Sequence, residues 1–352
     1  MDGKLLELIE RLEREHSLSV DEYEYLIVNK TDEAQALLAE KASAVSRRIY
    51  GNEIFLRGIV EFSNICKNDC YYCGIRRSNA NLERYRLSPD EIFRCCEEGY
   101  ELGLRTFVLQ SGEDPYYTDD ILADLVSKIH GRFPDCAITL SLGERSRESY
   151  QRLFDAGANR YLLRHETADK AHYEKLHPAE MSFDNRMHCL QVLREIGYDV
   201  GAGFMVGSPY QTTRTLAEDL KFLEDFKPEM CGIGPFIPHK DTPFRDVPAG
   251  TLDWTLYFLS IIRLIHPPVL LPATTALGTI DPRGREKGVE AGANVIMPNL
   301  SPTEVREQYK LYNDKICTGD ESAQCRHCLD LRMSTIGYQI VTDRGDIRKE
   351  VI

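Results

Sequence analysis

Three cysteines within eight residues, Cys66-Lys-Asn-Asp-Cys70-Tyr-Tyr-Cys73, constrain this chain more than any other feature. The C-x3-C-x2-C spacing lets three thiolates converge from one tight loop. A closed structural zinc site takes four ligands, so a trio falls one short. A [4Fe-4S] cube held by three cysteines keeps one iron open. That iron can chelate the amino and carboxylate groups of S-adenosylmethionine (SAM), and an electron from the cluster then splits the sulfonium to give a carbon radical. Tyr72, a flat side chain just before the last cysteine, suits a place beside the adenine. A zinc knuckle and buried structural thiols are the other readings of three close cysteines.

The remaining pattern says what carries this loop. At 352 residues, 42% of them hydrophobic, the chain is long for an ordinary domain but fits one (β/α)8 barrel. Residues 1–50 read as helices: Leu5, Ile9 and Leu12 share a face, Ser19 and Glu22 form a capping box, and Thr31 starts a third helix. They are expected to close the bottom of whatever follows. Beyond them strands and helices alternate, with strands expected at 54–61, 106–110, 137–142, 160–164, 200–206, 231–236, 270–275 and 294–297. Ser88-Pro89-Asp90-Glu91 starts one of the intervening helices. Gly103, Gly157, Gly197 and Gly292 each stand a few residues before a strand, as left-handed helix ends would. Eight such units argue for an α/β fold of the TIM-type barrel class, with a doubly wound open sheet as the alternative. The division expected is 1–50 helical, 51–300 barrel, and 301–352 a C-terminal helix with an auxiliary cluster segment.

Charge and cysteine usage narrow the setting. A net charge of −13 speaks against a general nucleic-acid or anionic-membrane surface, which needs clustered Lys and Arg. No apolar run reaches the length of a membrane span. The first residues enter a charged amphipathic helix with no signal-peptide core. Eleven cysteines, six of them in two metal-like clusters, fit cluster chemistry in a reducing cytoplasm better than a disulfide framework. The second cluster of cysteines, Cys317-x7-Cys325-x2-Cys328, reads as an auxiliary iron–sulfur site ([2Fe-2S] or [4Fe-4S]), with zinc as the competitor because His327 is adjacent. Cys95, Cys96, Cys136, Cys189 and Cys231 read as small hydrophobic residues.

In a barrel the working groups sit at the C-terminal ends of the strands. Strand two ends in Gln110-Ser111-Gly112-Glu113, a small-residue turn with a carboxylate able to hold the ammonium of SAM. Thr139 and Ser141 face one side of strand three and either line the cavity or bond to backbone. Strand four ends in Arg164-His165-Glu166, where Glu166 can accept from ribose hydroxyls and Arg164 can pair with an anion. Arg186, early in the next helix, can bridge the SAM carboxylate or be a solvated arginine. Met205 reads as core packing. Thr274 and Thr275, flanked by alanines, leave room for a small polar ligand.

The Cys66–Cys73 signature, with an aromatic residue before its last cysteine, resembles that of the radical SAM superfamily. Ser111-Gly112-Glu113 stands where that superfamily has Gly-Gly-Glu, with Ser111 replacing one glycine. Segments 61–66, 108–117, 160–167, 232–239, 272–276 and 294–299 resemble, more narrowly, the radical SAM maturases of [FeFe]-hydrogenase. Three C-terminal cysteines match an auxiliary cluster found in many of those enzymes. The resemblance implies a full barrel with SAM and a [4Fe-4S] cluster at its top. It implies partner maturases HydG and HydF, a ferredoxin or flavodoxin as electron donor, and a radical that acts on sulfur in an iron–cysteine precursor. It also implies that Arg164, Thr274 and Thr275 hold the substrate, and that Gln110, Ser111, Thr139, Glu166, Arg186 and Met205 surround SAM. Methylornithine synthase, biotin synthase and a non-catalytic cluster scaffold are the rival readings.

Overall fold

The computed structural model describes residues 1–319 and 326–349. Its frame is a ring of parallel strands. β1 (Glu53–Leu56) and β2 (Gly58–Ser63) form one strand interrupted at Arg57, longer at its C-terminal end than the periodicity implied. The wall continues from β2 through β3 (Thr106–Ser111), β4 (Ala137–Ser141), β5 (Arg160–Leu162), β6 (Asp199–Ala202) and β8 (Met230–Cys231). Met230 then bridges Leu270, Pro272 bridges Val295 of β10 (Val295–Ile296), and β10 pairs with β1. All these pairings are parallel, and Asn299 bridging Ile59 closes the ring. The fold is the TIM-type barrel, and the open-sheet alternative falls.

Several expected strands are shorter than the hydrophobic runs suggested: the fourth ends at Leu162, before Arg164, and the sixth breaks after Cys231. The fifth breaks at Gly203 before β7 (Met205–Val206), which pairs with β9 (Gly234–Pro235) above the main ring. The seventh is reduced to bridges at Leu270 and Pro272, because Thr274 already occupies the N-cap position of a helix that begins at Thr275. The four glycines expected at helix ends all have positive φ.

Helices cover the ring in chain order. α4 (Pro89–Glu101) starts in the expected Ser88–Glu91 capping box. α5 (Asp119–Arg132), α6 (Arg147–Asp155), α7 (Lys170–Leu176), α8 (Phe183–Ile196), α9 (Thr213–Phe226) and α10 (Leu252–Ile265) follow. α11 (Thr275–Ile280) and α12 (Gly284–Glu290) complete the circuit. α10 is apolar on almost every face, which a surface helix cannot be. The N-terminal helices α1 (Gly3–Glu15), α2 (Val20–Val28) and α3 (Asp32–Tyr50) account for this, since α1 and α3 pack on α10 and α2 packs on α9.

These helices therefore flank the barrel; its base is closed by the other end of the chain. After α13 (Thr303–Arg306) and α14 (Arg326–Ser334), β11 (Gln339–Val341) pairs with β1, and the tail passes beneath the strands. There the carbonyls of Arg344 and Gly345 accept from Thr106, Arg160 and Arg57, and Asp346 pairs with Arg160. No helix among the described residues is long and apolar enough to cross a membrane.

Candidate radical SAM site

β2 delivers the cysteine loop to the top of the barrel, and polar side chains hold its shape. The Arg84 guanidinium donates to four carbonyls around it, those of Asn64 (2.5 Å), Ile75 (2.8 Å), Arg76 (2.6 Å) and Asn79 (3.2 Å). Asn64 donates to the carbonyls of Glu83 and Gln308, both at 2.8 Å. Asp69 takes Arg76 bidentately at 2.8 and 2.6 Å, the strong geometry for such a pair. The neighbouring 308–313 stretch closes over the loop through the Gly74 N–H, which donates to Leu311 O at 2.9 Å.

Cys66, Cys70 and Cys73 are unpaired and half-buried. Burial pushes the Cys73 thiol up to about 12, and burial with the charges of Cys73 and Cys66 pushes Cys70 well up. Three thiolates crowded in this way need a cationic group to carry their charge. Among the described residues no three His, Cys, Asp or Glu side chains, the loop cysteines included, are gathered closely enough to hold one metal ion. The Glu113 N–H points at Cys66 Sγ at 3.4 Å. That approach requires Gly112, where a Cβ would lie 2.3 Å from Ile65 O.

The other sequence-derived candidates fall into three groups. Around the loop, the Tyr72 hydroxyl meets His177 Nε2 at 3.1 Å, and Met205 packs with Leu176, Phe236 and Phe244 against Tyr71 and Tyr72. Burial, then the charges of Glu166 and Cys70, push the Tyr72 phenol up. Glu166 has φ 66°, a strained conformation for a non-glycine residue. Arg164 Nη2 stands 3.3 Å from Glu166 Oε2.

A second group lines the barrel interior. Gln110 and Ser141 are register partners at one level, and Gln110 meets the Tyr309 hydroxyl at 3.4 Å. Thr139 lies lower, level with Arg160 at the start of β5, beside a small cavity also lined by Arg57. Ser111 turns its hydroxyl onto the Gly112 carbonyl at 2.7 Å. Thr274 sits at the N-cap of α11 without capping it, and Thr275 is the first residue of that helix. A third group is already engaged: Glu113 holds Lys67 at 3.0 Å and the Glu144 N–H at 3.0 Å, while Arg186 donates to Glu144 and to Arg164 O, both at 2.6 Å.

Against this background, the buried Arg164 Nε, Thr139 Oγ1 and Thr274 Oγ1 make no hydrogen bond, and Arg164 Nη2 and Glu166 Oε2 have only their 3.3 Å ion pair with each other. Buried donors and acceptors are ordinarily satisfied, so a concentration of orphans inside a barrel marks ligand-binding ground.

Residues 60–223 match the family model of the radical SAM superfamily. The [FeFe] hydrogenase maturase subunit HydE of Thermotoga maritima is 45% identical over 98% of each chain. The chain belongs to the HydE family of radical SAM enzymes. A 3-methylornithine synthase of Methanosarcina acetivorans is more distant, 31% identical over 79% of each chain. The crystal structure of methylornithine synthase (PylB) superposes with a TM-score of 0.83 at 25% identity, over 95% of this chain and 97% of that one. Membership of the HydE family implies a [4Fe-4S] cluster and SAM. The residues fit both: three free thiols on one loop, and under-partnered polar groups on Arg164, Glu166 and Thr274 beyond the strand ends.

The C-terminal cysteines are only partly placed. Cys317 Sγ accepts from Arg285 at 3.1 Å and has φ 66°. Cys328 is exposed on α14, one turn before Arg332, whose guanidinium is raised by its Glu286 partner and also feels Cys317. Cys325 lies outside the described residues. Sequence reasoning missed Arg84 and Asn64, whose carbonyl partners leave no motif. It also missed the buried pair Glu61–Lys315, which joins β2 to the segment closing the barrel top.

Proposed function

We propose that this HydE-family chain is a maturase of [FeFe]-hydrogenase, in which the bound cluster and SAM supply a 5′-deoxyadenosyl radical that attacks sulfur in an iron–cysteine-type precursor of the diiron subcluster. One observation carries the substrate side of this reading. Arg164, two residues beyond β5, has a guanidinium that makes no hydrogen bond and only a 3.3 Å ion pair with Glu166, and Thr274 stands before α11 with an orphaned hydroxyl that does not cap it. A cation with free hydrogen-bonding capacity and an unpartnered hydroxyl in a barrel suit the anionic end of a small, amino-acid-like ligand. Thr275 follows Thr274 and completes that set.

The remaining residues have distinct tasks in this reading. Gln110, Ser111, Thr139, Ser141, Glu166, Arg186 and Met205 surround SAM, with Gly112 and Glu113 turning the backbone toward the cysteine loop. Tyr72 and Met205 supply an apolar wall for the adenine, and Glu166 accepts from the ribose. Arg186 orients the site through Glu144 and the Arg164 carbonyl. The 308–315 segment excludes water from above, locked by Lys315 on Glu61. Cys317, Cys325 and Cys328 hold an auxiliary iron–sulfur cluster. HydG and HydF are the partner maturases, and a ferredoxin or flavodoxin is the electron donor.

The test uses Arg164→Leu. Losing a charge-assisted hydrogen bond costs about 1.5–3 kcal/mol, roughly ten- to a hundredfold in binding. The variant is expected to keep its cluster and uncoupled SAM cleavage while losing hydrogenase maturation. Normal maturation by a folded, SAM-binding variant would remove Arg164 from the substrate site.

A further inference from the structure

Behind the ion pair of Arg164 and Glu166 stands a side chain that the proposed chemistry does not use. His165 is fully buried, its ring packed 4.5 Å from Phe222 and 6.0 Å from Phe204. Its Nδ1 accepts the Gly203 N–H at 3.2 Å, so the proton of the neutral ring resides on Nε2. That nitrogen stands 3.3 Å from Asp219 Oδ1, too poorly aligned for a hydrogen bond, and Asp219 is also fully buried. Burial pushes the imidazole down to about 3 and the Asp219 carboxyl well up, so neither is readily charged.

The links from this pair run directly to the site. Gly203 donates to His165 and accepts the Glu166 N–H at 3.0 Å. Asp219 Oδ1 accepts the Ala168 N–H at 2.6 Å. The stretch between Arg164 and Ala168 is thus tied on both sides of Glu166, the residue with φ 66°. No other residue can replace Gly203 without loss, since it has φ 149° and a Cβ there would lie 2.1 Å from Gly232 O. A left-handed glutamate persists only where its surroundings over-determine it. His165 and Asp219 are those surroundings.

We propose that His165, braced by Asp219, is a positioning residue: through Gly203 it holds the left-handed turn at Glu166, and so sets the Glu166 carboxylate and the Arg164 guanidinium toward the bound SAM and substrate. The inference rests on the reading that Glu166 contacts SAM. Its selectivity comes from which ring nitrogen matters. Asparagine offers an acceptor where Nδ1 stands, whereas leucine offers none.

The experiment measures SAM affinity and the cluster's electron paramagnetic resonance spectrum, with and without SAM, in reconstituted wild type, His165→Leu, His165→Asn and Glu166→Gln. His165→Leu is expected to keep the cluster signal, weaken SAM binding by about tenfold and blunt the SAM-induced spectral change. His165→Asn is expected to restore most of both. Unaltered SAM binding by folded His165→Leu, alongside weakened binding by Glu166→Gln, would overturn the positioning role alone. Unaltered binding by Glu166→Gln would overturn the SAM reading itself. Equal failure of the leucine and asparagine variants would make His165 a packing residue and also overturn the proposal.

Discussion

Gly112→Ala tests how closely the end of β3 must approach the cysteine loop. A Cβ at this position would stand 2.3 Å from Ile65 O, 2.9 Å from Ile65 C and 2.8 Å from Cys66 Cβ. Ordinary contact begins near 3.4 Å, so the turn or the loop must yield by about 1 Å. None of these atoms is the far end of a flexible side chain, and the loop is tied through Arg84 and Asn64 to carbonyls on several sides. Overpacking of this kind costs about 1–3 kcal/mol of stability. The functional cost is larger, because the Glu113 N–H that meets Cys66 Sγ moves with the turn. A misplacement of about 1 Å can lower a rate by about a hundredfold. The assay is iron content after anaerobic reconstitution, followed by 5′-deoxyadenosine formation per cluster. The expected result is a folded protein with a modestly lowered melting temperature and a large loss of 5′-deoxyadenosine per cluster. A variant with native turnover and native cluster content would refute the reasoning.

Three further outcomes follow from other contacts. Arg84→Leu leaves four carbonyls around the cysteine loop without their donor and is expected to reduce the iron retained on reconstitution, read by iron and sulfide analysis. Glu61→Ala strands the buried Lys315 ammonium, so its urea midpoint is expected to fall by the equivalent of about 3–5 kcal/mol, and an unchanged midpoint would show that the pair is not buried in solution. Joint replacement of Cys325 and Cys328 by alanine is expected to remove the auxiliary metal while SAM cleavage persists; finding zinc instead of iron in the parent protein at that site would overturn its assignment.

Much of the barrel was legible because its signals are local. Ser88 and Glu91 form a capping box whose partners are three residues apart, and Gly103, Gly157, Gly197 and Gly292 sit at helix ends that need positive φ. The cysteine motif could be read for the same reason, its three thiols lying within one short segment. What escaped depends on pairings distant in sequence. The tail at 344–346 works largely through backbone carbonyls, which every residue has, so nothing in its side chains advertises that it closes the base. The apolar runs overstated strands five and seven because Gly203 and Thr274 end them for reasons of backbone geometry. Arg186 and Glu113 carry the right charges for SAM, yet their partners Glu144 and Lys67 are settled only by the folded loops.

The central claim is that Cys66, Cys70 and Cys73 hold a cluster whose open iron serves SAM. The direct measurement is product analysis after anaerobic reconstitution, dithionite reduction and addition of SAM, with Cys70→Ala in parallel. Methionine and 5′-deoxyadenosine in equal amounts from the parent protein, and neither from the variant, is the predicted result. A parent protein loaded with its four irons and fully reduced that leaves SAM intact, or a Cys70→Ala variant that cleaves it at the native rate, would contradict the account.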